Sequence, residues 1–103
     1  MDKKVYNAVN DNSQGYCYVC HRYGGEMLEL HHILRRKVAA TKENCVMLCR
    51  ECHRGRAGVH GMDGHKLDIE LKVKLQNTYF EMGLHEGDVR KLMNGRLYSS
   101  ENV

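Results

Sequence analysis

The chain opens with apolar residues at helical spacing. Val5, Tyr6 and Val9 fall on one face of residues 3–10, a pattern that predicts a short amphipathic helix. The run that follows, residues 10–15, is rich in turn formers and is expected to end this helix.

Two short strands are predicted in the middle of the chain. After a brief extended piece at residues 16–20 and a turn at Gly24–Gly25, residues 27–30 predict a strand that leads into His31. A basic loop then connects to a second apolar run at residues 45–48, which predicts the partner strand.

Two short helices are expected to follow these strands at different points. The first should start within residues 49–52 and weaken near Gly55 and Gly58, because a glycine inside a helix costs about 1 kcal/mol relative to alanine. The second should cover residues 86–94 and stop before Gly95. Its core-facing residues are expected to be Val89, Leu92 and Met93.

Residues 67–75 fit two templates. Apolar and charged residues alternate there, as in a strand, but Leu67, Leu71 and Leu75 also have the spacing of a helical face. Two acidic residues in this stretch precede a lysine by four positions, and such pairs stabilise a helix. We therefore predict a helix over residues 64–82, stopped by Gly83.

Length and composition limit the class of protein. The 103 residues, 42% hydrophobic and 28% charged, predict one small soluble domain (residues 1–103). Because so small a domain has a small core, a bound structural metal would increase its stability. No apolar run reaches the ~18–20 residues that span a bilayer, and the basic N-terminus lacks the apolar stretch of a signal peptide. We expect a cytoplasmic protein without membrane contact, in which reducing conditions favour metal-bound cysteines over disulfides.

Positive charge is concentrated in one segment. The net charge of the chain is +3, yet residues 31–60 hold seven Lys and Arg against two Glu, and the remainder is slightly acidic. This segment also holds most of the histidines, so its charge suits a polyanion such as nucleic acid. A solvated basic surface would show the same pattern.

Four of the five cysteines form two Cys-x-x-Cys pairs, Cys17 with Cys20 and Cys49 with Cys52. Such pairs are typical of a tetrahedral structural zinc site, because each tight turn supplies two thiolates. Free buried thiols and disulfides are the alternatives. Cys45 lies within the apolar run of the second strand and is expected to be a small core residue.

The histidines are placed in a specific order around these pairs. His31 and His32 end the first strand, Asn44 opens the second, and His53 directly follows the last cysteine. Taken alone, an adjacent histidine pair is as typical of surface or structural residues as of a site. Together with the cysteines, the order resembles the HNH endonuclease family, whose ββα-metal motif reads roughly Cys-x-x-Cys, Asp/His-His-Ile, Asn and Leu-Cys-x-x-Cys-His/Asn. The matching residues are Cys17, Cys20, His31, His32, Ile33, Asn44, Leu48, Cys49, Cys52 and His53.

The resemblance covers roughly residues 15–60 and implies both a fold and an activity. The implied fold is α+β: a zinc-stapled ββα-metal finger with an N-terminal helix and one or two C-terminal helices over about residues 64–97. The implied activity is metal-dependent DNA endonuclease, and the opening helix and residues 58–61 resemble small phage-type members.

Individual roles are also implied by the resemblance. His31 and His53 match the ligands of one catalytic divalent metal, His32 matches the general base, and Asn44 matches the residue that braces the loop carrying that base. His31 stands where the family often has Asp, and two imidazoles favour Mn²⁺, Ni²⁺, Co²⁺ or Zn²⁺ over Mg²⁺. His60 is an additional candidate, as a third ligand or a phosphate contact, although a loop histidine is its default interpretation.

DNA is the expected partner, and a phage or host protein is a further candidate. If the chain is phage-encoded, its compartment is the bacterial host cytoplasm. Two rival functions are a non-catalytic zinc-dependent module that binds nucleic acid and an accessory subunit of a phage packaging or recombination complex. A degenerate copy usually loses an active-site residue, so the presence of all four residue types favours the nuclease. Residues expected to contact the DNA backbone are Arg35, Arg36, Lys37, Arg50, Arg54 and Arg56.

Overall fold

The computed structural model describes residues 3–35 and 41–99. Within them it contains four α-helices and one two-stranded sheet. In chain order the elements are α1 (Lys3–Ser13), a 3₁₀ turn (Gly25–Met27), β1 (Glu29–His32), β2 (Cys45–Leu48), α2 (Arg50–Arg54), α3 (His65–Glu81) and α4 (Glu86–Leu92).

The sheet and α2 form a ββα unit at the centre of the chain. β1 and β2 pair antiparallel, with His31 opposite Val46 and His32 opposite Cys45. α1 packs against β2, and α2 contacts both strands. Every residue of β2 is buried, as its continuous apolar run requires. The α+β fold with a ββα unit and a four-cysteine cluster is confirmed.

α1 continues through Ser13, three residues beyond the end at residue 10 that the apolar spacing predicted. The Ser13 hydroxyl donates to the carbonyl of Asn10 at 2.7 Å, inside the last turn, and the helix ends where Gln14 takes a positive φ of 52°. Only Val9 is buried on this helix, whereas Tyr6 is exposed.

The first strand begins later than predicted. The 3₁₀ turn occupies residues 25–27, so β1 starts at Glu29 and includes both His31 and His32. The predicted extended piece at residues 16–20 is reduced to one bridge between Tyr16 and Tyr23, because the first cysteine pair folds into a turn.

The helix predicted over residues 64–82 is confirmed as α3, and the strand alternative is wrong. Leu71, Leu75 and Tyr79 are buried at helical spacing. Lys72 donates to Asp68 at 2.8 Å, which is one of the two acid-before-base pairs that favoured the helix.

α4 packs against α3 and buries fewer apolar side chains than predicted. Val89 and Met93 are fully buried, one helical turn apart, but Leu92 is 41% exposed and was wrongly assigned to the core. Val89 and Met93 fill the buried face of this seven-residue helix.

Cys45 is 3% exposed and packs in the core as predicted. In the part of the chain described, no helix is both long and apolar enough to cross a bilayer.

Candidate functional site: two clusters of metal-ligating side chains

The four paired cysteines, two before β1 and two at the start of α2, converge on one point. The Sγ atoms of Cys17, Cys20, Cys49 and Cys52 all lie within 4.8 Å of one another, and those of Cys20 and Cys49 are 3.7 Å apart. Four Zn–S bonds of about 2.3 Å in a tetrahedron place the sulfurs roughly 3.8 Å apart. The cluster therefore has the size of a zinc site.

Backbone hydrogen bonds position each cysteine pair. In the first turn the N–H of His21 donates to the carbonyl of Cys17 at 3.0 Å, and the N–H of Tyr18 donates to Met47 on β2 at 2.9 Å. In the second, Cys49 is the N-cap of α2, and its sulfur accepts from the N–H of Cys52 at 3.5 Å. The first pair is thus fastened to the sheet and the second to the start of α2.

The thiols differ in their readiness to ionise. Hydrogen bonds from the backbone and side chain of Arg22 outweigh partial desolvation and lower the pKa of Cys20 to about 6. Desolvation raises the pKa of Cys49 and of Cys52. Thiolates brought together at low dielectric repel one another, and a bound divalent cation relieves that repulsion. The chemistry of this donor set therefore fits a metal ion.

A second cluster consists of three imidazoles. Ligand atoms of His31, His53 and His60 lie within 4.8 Å of one another, and the ring centroids are 4.8–5.3 Å apart. His31 comes from β1 and His53 from α2, whereas His60 comes from the loop after α2. Together with His32, these rings line one cleft of about 330 Å³.

His31 is the most constrained of the three. It is 2% exposed, and its Nε2 is buried without a hydrogen-bond partner among the described residues. Desolvation, followed by the charges of His53 and His60, lowers the pKa of His31 to about 4. Its imidazole is consequently neutral near pH 7, with a free lone pair, and a buried polar atom of this kind normally has a partner. A metal ion bound there would provide that partner.

His60 reaches the cluster through an unusual loop. Residues 55–64 carry a glycine at every third position, and each of the last three glycines donates its N–H to the carbonyl three residues earlier at 2.8–3.1 Å. The N–H of His60 donates to the carbonyl of His53, seven residues back, at 3.0 Å. A Cβ at Gly61 would collide with backbone oxygens, so the tight path of this loop requires glycine.

A carboxylate supports the second histidine. Glu29 Oε1 lies 2.8 Å from Nδ1 of His53 and 3.0 Å from Nε of Arg54. These contacts, first the hydrogen bond to His53, lower the pKa of the Glu29 carboxyl. A donating Nδ1–H directs the Nε2 lone pair of His53 away from Glu29, an arrangement common behind metal-bound histidines. Glu29 was not predicted from the sequence, although its position two residues before His31 on a strand places both on the same face.

His32 and Asn44 occupy a different part of the site. His32 is not one of the three mutually close imidazoles, but it lines the same cleft. Asn44 is fully buried: its Oδ1 accepts from the N–H of Leu34 at 2.8 Å, and its Nδ2 donates to the carbonyl of Leu34 at 3.0 Å. Its own carbonyl accepts from Ile33 at 2.8 Å. Asn44 therefore fixes the backbone that leaves β1 directly after His32.

The basic residues predicted to contact the DNA backbone are distributed unevenly around this cleft. Arg35 lines it and is exposed. Arg50 is exposed on α2, Arg54 contacts Glu29, and Arg56 donates to Asp63 at 2.7 Å. Two further candidates, Arg36 and Lys37, lie outside the described residues.

Comparison with protein families agrees with this geometry. The model of the family described as HNH endonuclease matches residues 17–57, which contain both cysteine pairs, His31, His53 and the strands between them. No curated protein and no solved structure matches the chain. Residues 17–57 thus match the HNH endonuclease family model, and this segment contains four cysteines positioned for a metal site.

Proposed function

We propose that the chain is a metal-dependent DNA endonuclease that hydrolyses phosphodiester bonds. One observation carries the proposal: His31, whose Nε2 is buried without a hydrogen-bond partner among the described residues, lies beside two further imidazoles in a cleft that also contains His32. A purely structural role would leave that nitrogen without a partner. The family match supports the same conclusion, because nuclease chemistry is what the family's description names.

Each residue of the site has a role in this proposal. His31, His53 and His60 hold one divalent ion, with Glu29 orienting His53. When bound, such an ion supplies positive charge that stabilises the attacked phosphate and the departing 3′ oxygen. Three imidazoles favour Mn²⁺, Co²⁺, Ni²⁺ or Zn²⁺ over Mg²⁺, which prefers oxygen ligands. The four cysteines hold a separate structural zinc.

His32 is the general base in this proposal. Its imidazole accepts a proton from the attacking water, which is the usual task of a histidine general base near neutral pH. Asn44 holds the backbone after His32 through Leu34, so that the ring is presented to the cleft in one orientation. Removing a general base typically lowers the rate by about 10²–10⁴-fold.

Nicking of supercoiled plasmid in a titration of each metal tests the proposal. The variants are His32→Ala and His60→Ala, with His85→Ala as the matched control, because His85 is exposed and lies outside the histidine cluster. We expect His32→Ala to lose nicking while keeping metal affinity by calorimetry. His60→Ala should need more metal for the same rate, and the control should behave as wild type.

The rival functions predict different results. A wild-type protein that binds DNA but nicks it with none of these metals would be a non-catalytic zinc module. Nicking that requires an added partner protein would indicate an accessory subunit. If His32→Ala nicks as fast as wild type, the base is not His32 and the mechanism above is wrong.

A further inference from the structure

A second cleft lies beside the histidine site, on the side of the C-terminal segment. It has a volume of about 500 Å³ and shares Leu34 and Arg35 with the cleft of the histidines. Its other walls come from α3 and from the end of α4 with the coil that follows. Residues outside the family-matched segment therefore extend the site.

This cleft is positively charged. Arg35, Lys72 and Arg96 line it, and none of its described lining residues is acidic. Lys72 donates to Asp68 at 2.8 Å, which compensates its charge. Arg35 and Arg96 have no acidic partner within residues 3–35 and 41–99. By contrast, the clefts around α1 contain carboxylates, for example Glu43.

The C-terminal wall of the cleft is held in place before any ligand binds. The N–H of Tyr98 donates to Oε1 of the buried Gln76 at 2.8 Å, and Nε2 of Gln76 donates to the Tyr98 carbonyl at 2.9 Å. The guanidinium carbon of Arg96 lies 4.9 Å from the centre of the Tyr98 ring. Gly95, with φ of +90°, turns the chain from α4 into this coil. A guanidinium stacked on an anchored ring loses less conformational entropy when it binds an anion.

We propose that this cleft binds the phosphate backbone of DNA next to the phosphate that is cut. The proposal rests on the proposed nuclease function, and it assigns the substrate path to Arg35 and Arg96, which both line the cleft. Two cations that have no acidic partner among the described residues lie in a concave surface that shares Leu34 and Arg35 with the histidine cleft. They match the repeating negative charge of a strand. Contacts of this kind hold the backbone without reading the base sequence.

The test is binding of a labelled DNA duplex of arbitrary sequence by fluorescence anisotropy, without added divalent metal, across a salt series. The variants are Arg96→Gln and the double variant with Arg35→Gln. Arg90→Gln is the matched control, since Arg90 is exposed in the same C-terminal segment but does not line the cleft. Each lost phosphate contact should lower the slope of log affinity against log salt by about 0.9, which is roughly eightfold in affinity per decade of salt.

We expect a slope reduced by about 0.9 for Arg96→Gln and about 1.8 for the double variant, with Arg90→Gln unchanged. If Arg96→Gln and Arg90→Gln show the same slope as a wild-type protein that binds and nicks DNA, the cleft is wrong and the nuclease function stands. If the slopes fall as expected but wild type does not nick, the cleft binds DNA and the catalytic proposal fails. A wild-type protein that does not bind the duplex overturns the cleft.

Discussion

Replacing Asn44 with alanine should destabilise the protein strongly. The change removes both side-chain hydrogen bonds to Leu34, at 2.8 and 3.0 Å, and leaves the N–H and carbonyl of that residue unpaired. Leu34 is 4% exposed, so water does not readily replace the lost partners. A buried polar group left without a partner costs about 1–3 kcal/mol, so two of them cost roughly 2–6 kcal/mol.

Urea denaturation followed by circular dichroism measures this loss. With an m value of about 1–3 kcal/mol per molar urea, a loss of about 4 kcal/mol lowers the unfolding midpoint by roughly 1.3–4 M. Asn77→Ala is the matched control, because Asn77 is exposed on α3 and alanine has the higher helix propensity. Its midpoint should equal or slightly exceed that of wild type.

The same variant also separates two roles of Asn44. At low temperature and without denaturant, where enough Asn44→Ala remains folded, nicking should be lost, because the backbone after His32 is no longer fixed. Zinc content should remain unchanged, since the cysteines are untouched. An Asn44→Ala variant with a stability within about 1 kcal/mol of wild type would contradict this prediction, because it would mean that the two bonds to Leu34 contribute no more than one ordinary hydrogen bond.

Four further predictions follow from the two clusters. Cys49→Ser should release zinc and destabilise the fold by several kcal/mol, measured by elemental analysis and denaturation, whereas wild-type stability in a zinc-free variant would contradict it. Glu29→Gln should weaken catalytic-metal affinity by about 10–100-fold in calorimetry with zinc content retained, and unchanged affinity would exclude the orienting role. Gly61→Ala should displace the loop that carries His60, so it should mimic His60→Ala in metal titrations; a wild-type metal response would show that the loop accommodates the methyl group. Desolvation lowers the pKa of His31 from 6.5 to about 4 in the folded protein. Without the catalytic metal, the unfolded chain therefore takes up a proton at His31 before the folded protein does, so the free energy of unfolding is highest above about pH 6.5 and declines as the pH falls towards about 4. The unfolding free energy of His31→Gln should lack that decline, and parallel pH curves for the two proteins would argue against it.

The elements predicted well from the sequence are those that short-range residue patterns determine. β2 has the predicted limits because an unbroken apolar run suits a strand that is buried at every position. α3 forms because apolar residues at helical spacing find a core, and the alternation that suggested a strand places charged side chains such as Lys74 in solvent. The four cysteines meet because two tight turns and one antiparallel hairpin suffice to bring them together.

Features that depend on tertiary structure were predicted only in part or not at all. His60 was an additional candidate ligand with a loop histidine as its default interpretation, because its place beside His53 follows from the backbone bonds of the glycine loop, which no hydrophobic pattern signals. The role of Glu29 required knowledge that α2 lies against β1. Leu92 was assigned to the core by composition alone, whereas its exposure is decided by which side of α4 meets α3.

The shortness of α2 makes the two metal-ligating clusters depend on each other structurally. A helix of five residues is far below the ~12–15 residues that are marginally stable in isolation, so its stability must come from its cap and from its contacts with the strands. Its N-cap is Cys49, and the N–H of His53 donates to the carbonyl of that same cysteine at 2.9 Å. If the thiolates hold an ion, its release would loosen the turn that presents the His53 imidazole. Loss of metal from the cysteine cluster would then disturb the histidine cluster although none of its own residues had changed.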